Sequence, residues 1–397
     1  LVNTHHHFYQ TLTRALPGAQ NAKLFDWLLC LYEVWRGINP DAVYWSALGA
    51  MAELLLTGCT TTTDHLYLFP NAVSGELIDA EIQAAFELGM RFHPTRGSMS
   101  LGRSRGGLPP DDVVQTEDVI LADAERLIRR YHDPAPLSMC RIALAPCSPF
   151  SVTPESMKET AALARSHGVL LHTHLAETRD EDDYCQKHLG MRPLDYMESL
   201  DWVGPDVWFA HCVFLNNDEI RRMAETQTGV AHCPSSNMRL GSGAAPIPAM
   251  MKAGVPVGLA VDGSASNDTS DMLAEVRLCL LLHRLAAGVD AVTTDQALRL
   301  ATRGGASVFR RNDIGILAPG MAADIALFDL DHLGYAGALH DPVAALVLCG
   351  FSHRAHTVLV NGRVVVRAGS LLGADEKSIV REMNAHARRL AEAAGLH

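Results

Sequence analysis

The chain has 397 residues, 48% of them hydrophobic and 20% charged, with a net charge of −12. That length suits one large domain with a small companion, because α/β barrels of about 250 residues fold as one unit, and no run approaches the roughly eighteen apolar residues of a membrane-spanning helix. The acidic balance without a Lys/Arg-rich run speaks against a nucleic-acid partner, and nine cysteines with no CxxC pair fit free thiols in a reducing cytoplasm better than a disulfide framework.

Leu1 already reads as strand, so the natural N-terminus is expected upstream and targeting is not judged from this end. To about residue 290, short β-rich runs alternate with helical patterns. The runs are Leu1–His5, Cys59–Leu66, Arg91–Thr95, Arg141–Pro146, Val169–His174, Val207–His211, Gly229–Cys233 and Val255–Asp262, each followed by a helix candidate. Among the helices, Thr153-Pro154-Glu155 is an N-cap with proline at the first helical position, and the pattern stops at Gly168. Asp41–Thr57, Ala80–Leu88, Thr116–Tyr131 and Asp271–Ala287 show similar apolar spacing. Eight such units predict an α/β fold, a closed (β/α)8 TIM-type barrel over residues 1–312. Residues 313–397 read as a small β unit, with a hairpin signal at Asn361-Gly362, and a terminal helix from Glu376 to Ala394.

His5 and His7, one residue apart at the end of the first run, can both bend toward a metal where a strand leaves its pleat. Alone the pair is weak evidence, since His6 makes it a run that also reads as surface or tag. Three other run ends agree with it: His172-Thr-His174-Leu-Ala-Glu177, Ala210-His211-Cys212 and Val261-Asp262-Gly263. All sit at the C-terminal barrel face, where barrel enzymes build their sites. This convergence predicts one divalent metal on His5, His7, His174 and Asp262, zinc ahead of ferrous iron, with a position left for water.

Glu177, three residues beyond His174, is placed as general acid/base. His211 is placed beside the water or the oxyanion formed on attack, with metal ligand as its rival role. His172 points one layer deeper, into the core; His65 stays open between pocket wall and loop; His232 reads as support behind a ligand. The fourth run ends Ala145-Pro-Cys147-Ser148 with neither lysine nor carboxylate to bridge two metals, which favours one, with Cys147 as an unusual ligand the rival. Gly102-Arg-Ser-Arg-Gly106 matches GxSxG but sits in a glycine-rich loop and is set aside. HExxH, the P-loop and the HxE/PCxxC deaminase signature are missing.

Val2-Asn-Thr-His-His-His7, His174-Leu-Ala-Glu177, Ala231-His-Cys-Pro-Ser-Ser-Asn237, Val261-Asp-Gly-Ser-Ala-Ser-Asn267 and Gly320-Met-Ala-Ala-Asp324 together resemble the amidohydrolase superfamily. The resemblance is to its aminohydrolase branch of nucleobase and hydroxytriazine deaminases and covers essentially the whole chain. It implies hydrolytic deamination of a small purine-like heterocycle. His7-Phe-Tyr-Gln-Thr-Leu-Thr-Arg14 and Leu24–Tyr32 put 8-oxoguanine first, giving urate and ammonia. Guanine deamination and release of ethylamine from a hydroxytriazine are the alternatives. The resemblance also implies that Gln10 hydrogen-bonds the substrate ring and that Cys147 approaches it, and it leaves homo-oligomerisation open. It further implies a small β-sandwich begun before the barrel and completed by the C-terminal strands, of which this sequence lacks the first part. A non-catalytic barrel serving as a binding module is the remote rival, which the intact metal set opposes.

Overall fold

The computed structural model describes residues 1–73, 76–349 and 353–396. Its main sheet is built from β1 (Val2–Asn3), β2 (Thr61–Leu66), β3 (Arg91–Ser98), β4 (Ala143–Pro146), β5 (Leu170–Leu175), β6 (Val207–His211), β7 (Gly229–His232) and β8 (Val257–Leu259). These eight strands are parallel and lie side by side in chain order. The ends of the sheet meet: Thr4 donates to the Leu259 carbonyl through its backbone N–H (3.1 Å) and its hydroxyl (2.9 Å). Past the seam the Asp262 N–H reaches the His5 carbonyl at 3.2 Å, so the loop after β8 runs beside the segment after β1. A closed barrel has no free sheet edge, and its strands are covered on both sides, as a parallel sheet requires.

The predicted helices form within a few residues of their expected limits, at Pro40–Leu56, Leu77–Leu88, Glu117–Tyr131, Pro154–His167, Met272–Ala287 and Glu376–Ala393. The caps explain the agreement. Thr153 accepts from the Ser156 N–H, Asn39 from Ala42 and Asp271 from Leu273 and Ala274, each satisfying an orphan donor of the first turn. Among the elements that have no counterpart in the sequence reading are a 3-10 turn at Phe8–Thr13 and a helix at Leu24–Trp35, both in the connection that follows β1. The helix carries Leu24, Trp27, Leu28 and Leu31 to the barrel mouth as buried residues.

After the barrel, β9 (Ile325–Leu327), β10 (Thr357–Val360), β11 (Arg363–Arg367) and β12 (Ser370–Leu371) pair antiparallel in one four-stranded sheet, order β12-β11-β10-β9. Asn361 (φ 48°) and Gly362 (φ 82°) make the β10–β11 turn, with both residues left-handed as a type I′ hairpin demands. The sheet is tied to the barrel by Asp324, which pairs with the fully buried Arg91 of β3 at 2.9 Å and accepts the Asn361 N–H at 2.7 Å. This gives the Gly320–Asp324 motif a structural task. Helix Glu376–Ala393 packs on helix Pro40–Leu56 at Gly49, where a Cβ would strike Met383. Among the described residues no helix is long and apolar enough to cross a membrane, and the nine cysteines are free thiols.

Candidate metal centre

The loop ends at the C-terminal barrel face gather His5, His7, His174, His211, Glu177 and Asp262, all buried. The Asp262 Oδ1 lies 3.3 Å from His5 Nε2 and 3.4 Å from His7 Nε2, and His7 Nε2 lies 3.1 Å from His174 Nε2. His6, between the two predicted ligands, turns the other way to Ser270 (3.0 Å), as alternation along an extended segment requires.

The second nitrogen of each ring decides what these contacts mean. His7 Nδ1 is 2.7 Å from the His65 carbonyl and His174 Nδ1 is 2.6 Å from the Cys147 carbonyl, so both Nδ1 atoms carry the proton. His172 Nδ1 faces the Trp208 carbonyl at 2.9 Å, which leaves His172 Nε2 as acceptor for the His5 Nδ1–H at 2.7 Å. Three Nε2 lone pairs and a carboxylate oxygen therefore point into one space with no proton between them, and His5 Nε2 has no hydrogen-bond partner. Burial holds the imidazoles neutral: His174 is pushed down to about 3, His7 is lowered and His5 lies well below its ordinary value. Converging acceptors of this kind fit a divalent cation, and imidazole nitrogens with one carboxylate suit zinc or ferrous iron. Each ring also gives its second N–H to a carbonyl or another ring, the support that metal-ligating histidines require.

His65, undecided from sequence, is part of the wall. Its Nε2 lies 2.8 Å from the Ala145 carbonyl, its ring stacks on His174 with centroids 4.9 Å apart, and its buried Nδ1 has no partner. It joins His5, His7 and His174 in one group of potential ligand atoms within 4.8 Å of each other. His232 instead faces His283, the two Nε2 atoms 3.0 Å apart.

Glu177 and His211 stand beside this group. Glu177 Oε2 is 3.6 Å from His211 Nε2, which is itself 3.8 Å from Asp262 Oδ2. Burial pushes the Glu177 carboxyl up to about 7, so it gives and takes a proton near neutrality. Burial opposes charge on His211, yet Glu177 and Asp262 raise it overall. Asn237 Oδ1 accepts from His211 Nδ1 at 3.0 Å and fixes the ring, which gives the Ala231–Asn237 motif its role. In the Val261–Asn267 motif, Asn267 bridges the Val261 carbonyl and Glu275, closing the turn that presents Asp262. Ala176 (φ 52°), His211 (φ 71°) and Asp262 (φ 63°) all have left-handed backbones, a strain that periodicity does not reveal and that concentrates at working sites.

A cavity opens beside the cluster, lined by Gln10, Leu24, Trp27, Cys147 and Phe150 together with Glu177 and His211. Gln10 and Cys147 thus both reach it. The Gln10 Oε1 is buried without a partner, and its seat depends on Gly263, where a Cβ would overlap the amide. Burial pushes the Cys147 thiol up to about 12, so it stands as a neutral wall group and not as a thiolate ligand. Leu24, Trp27 and Phe150 add apolar and aromatic surface suited to a flat ring.

Residues 1–365 match the model of the amidohydrolase family. The chain is 52% identical over 390 residues to an 8-oxoguanine deaminase of Pseudomonas aeruginosa, covering 98% of this chain and 86% of the relative. It is 42% identical over 395 residues to a hydroxydechloroatrazine ethylaminohydrolase of Pseudomonas sp. strain ADP, covering 98% and 82%. The atrazine chlorohydrolase of Arthrobacter aurescens TC1, solved as its zinc complex, superposes with a TM-score of 0.93 at 37% identity, covering 98% of this chain and 87% of that one.

Proposed function

The chain belongs to the amidohydrolase family, and on that premise we propose that it is a metal-dependent hydrolase of ring C–N bonds that deaminates a purine-like heterocycle, 8-oxoguanine first. The observation that carries the reading is the convergence of three unprotonated imidazole nitrogens and Asp262 Oδ1 beside Glu177. The substrate rests on the relative of 52% identity.

One zinc ion would be held by His5, His7, His174 and Asp262; when bound it would lower the pKa of water toward neutrality and polarise the electrophile. Glu177 takes the proton of the attacking water and delivers it to a ring nitrogen of the substrate, which its pKa of about 7 allows in both directions. His211, held by Asn237, donates through Nε2 to the oxygen that gains charge as water adds to the amine-bearing carbon. Glu177 then takes the remaining hydroxyl proton of the adduct and passes it to the amino group, and ammonia leaves as the ring carbonyl forms. Asp262 keeps its charge throughout and orients the water as acceptor. Gln10 offers the substrate edge an amide, and Cys147 stands beside the ring as a neutral thiol. Residues 1–312 carry this chemistry, and residues 313–397 brace the barrel.

A second reading follows from the relative of 42% identity: release of ethylamine from a hydroxytriazine in the same pocket. Steady-state assays with zinc-replete protein on 8-oxoguanine, guanine, isocytosine and hydroxyatrazine, scored for ammonia and for ethylamine, separate the two. Turnover highest on 8-oxoguanine supports the first; ethylamine release without purine turnover replaces it with the second.

A further inference from the structure

We infer that Glu181 is a positioning residue that acts through Glu177, and this rests on the general acid/base role proposed above. Glu181 lies in the first turn of helix Arg179–Leu189 and is buried. A glutamate at this helical position ordinarily reaches back to the N-cap N–H. Here it reaches further: one oxygen accepts the Ala176 N–H at 2.8 Å and the other the Glu177 N–H at 2.9 Å. Both oxygens are thus spent on the two peptides that lead out of β5 to the proton-transfer group.

The backbone they hold is one that alanine resists. Ala176 has φ 52°, a left-handed conformation that is unfavourable for a residue with a Cβ. The turn persists because it is gripped from both sides. The Ala176 carbonyl accepts the Phe214 N–H at 3.0 Å from the loop after β6, while Glu181 takes the N–H groups opposite. Hydrogen bonds to a buried carboxylate are about twice as strong as neutral ones, enough to offset the strain. A glutamine at 181 would keep one acceptor and turn an NH2 toward the other N–H, so the grip opens on one side. Relaxation of the turn then moves the Glu177 carboxylate, and a displacement of about 1 Å at such a group costs on the order of 100-fold in rate.

The test uses zinc-loaded full-length protein with 8-oxoguanine and measures kinetics, metal content and amide hydrogen exchange. E181Q is expected to keep its zinc, lose about 10- to 100-fold in kcat with KM changed less than about 3-fold, and expose the 175–178 segment to exchange at least about 10-fold faster. In the E177Q background the same change is expected to cost less than about 2-fold, because a residue acting only through Glu177 has nothing left to position. E181D keeps the charge but draws the oxygens back by one methylene; it is expected between wild type and E181Q, and it carries the test should E181Q not fold. Unchanged exchange at 175–178, or an E177Q/E181Q double variant slowed by the product of the single effects, overturns the inference. The exchange arm reads the grip even on a protein with no purine turnover, so failure of the functional reading is seen separately.

Discussion

His5 Nδ1 lies 2.7 Å from His172 Nε2, and this contact sets the protonation of a ring that the first strand delivers from a residue on the fifth. The relay begins at the Trp208 carbonyl, passes through both nitrogens of His172 and ends in the bare Nε2 of His5. Replacing His172 by phenylalanine keeps the volume and the stack on Trp208 but removes the acceptor. Support of this kind is worth roughly 10- to 100-fold in metal affinity. Zinc competition with a chromophoric chelator is expected to show a loss in that range; affinity equal to wild type would mean that His172 only fills space.

Glu177→Gln keeps the shape of the site and removes the group that exchanges protons near neutrality. Turnover is expected to fall by about 10²- to 10⁴-fold at unchanged metal content. Single-turnover rates and metal analysis on the same sample check this, and near-full activity with zinc bound would remove Glu177 from the mechanism.

Metal-free protein is expected to be most stable near pH 6.5. Among the described residues burial depresses eleven imidazoles, His5, His6, His7, His65, His93, His132, His172, His174, His232, His283 and His386, below 6.5, two of them to about 3. Between those limits the unfolded chain binds protons that the folded chain refuses, so stability falls as pH drops below 6.5. Five buried carboxyls act oppositely. Asp64 and Glu177 are raised to about 7, Glu181 to about 6, Glu275 to about 8, and Glu81 well above its ordinary value. They take protons first in the folded state, and their contribution is lost as pH rises from about 4.5 to 8. The imidazoles are more numerous, so they win below 6.5, and the carboxyls are left alone above it. Scanning calorimetry at pH 5, 6.5 and 8.5 tests this; a midpoint that climbs steadily to pH 8.5 would contradict it.

Asp324→Ala takes the paired carboxylate from the buried Arg91 guanidinium at the base of β3 and leaves it the Leu137 and Ser138 carbonyls. Removing one partner of a buried pair costs about 3–5 kcal/mol. Urea unfolding should report a loss of that size, with zinc binding retained because the pair lies far down the barrel from the loops that carry His5 and Asp262. A loss below about 1 kcal/mol would mean that water reaches the arginine.

The barrel was legible because its signals are local and repeated. Runs such as Val207–His211 are apolar and short, and helices such as Pro154–His167 carry their own caps. The site was legible where its residues sit at strand ends, since a strand end in a closed barrel has a known direction. His65 was ambiguous because its part depends on the Ala145 carbonyl of β4, two strands away, which one strand's pattern does not contain. Helix Leu24–Trp35 was missed because residues between β1 and helix Pro40–Leu56 were read as connection, although Leu24, Trp27, Leu28 and Leu31 have helical spacing. Left-handed turns at Ala176, His211 and Asp262 carry no glycine to announce them. They exist because neighbours grip them, and grips between distant residues are invisible to a window of sequence.

The seam between β1 and β8 sets a timetable for biosynthesis. Thr4 and Leu259 are 255 residues apart, yet their hydrogen bonds close the cylinder. During translation at roughly 5–20 residues per second, His5 and His7 emerge many seconds before Asp262. A nascent chain that has made its fifth strand offers imidazoles to passing cations without the carboxylate that completes the set. On the proposed ligand set, capture of the cation at full affinity is a late event, and metal occupancy in freshly made protein would report how many chains have joined their two ends.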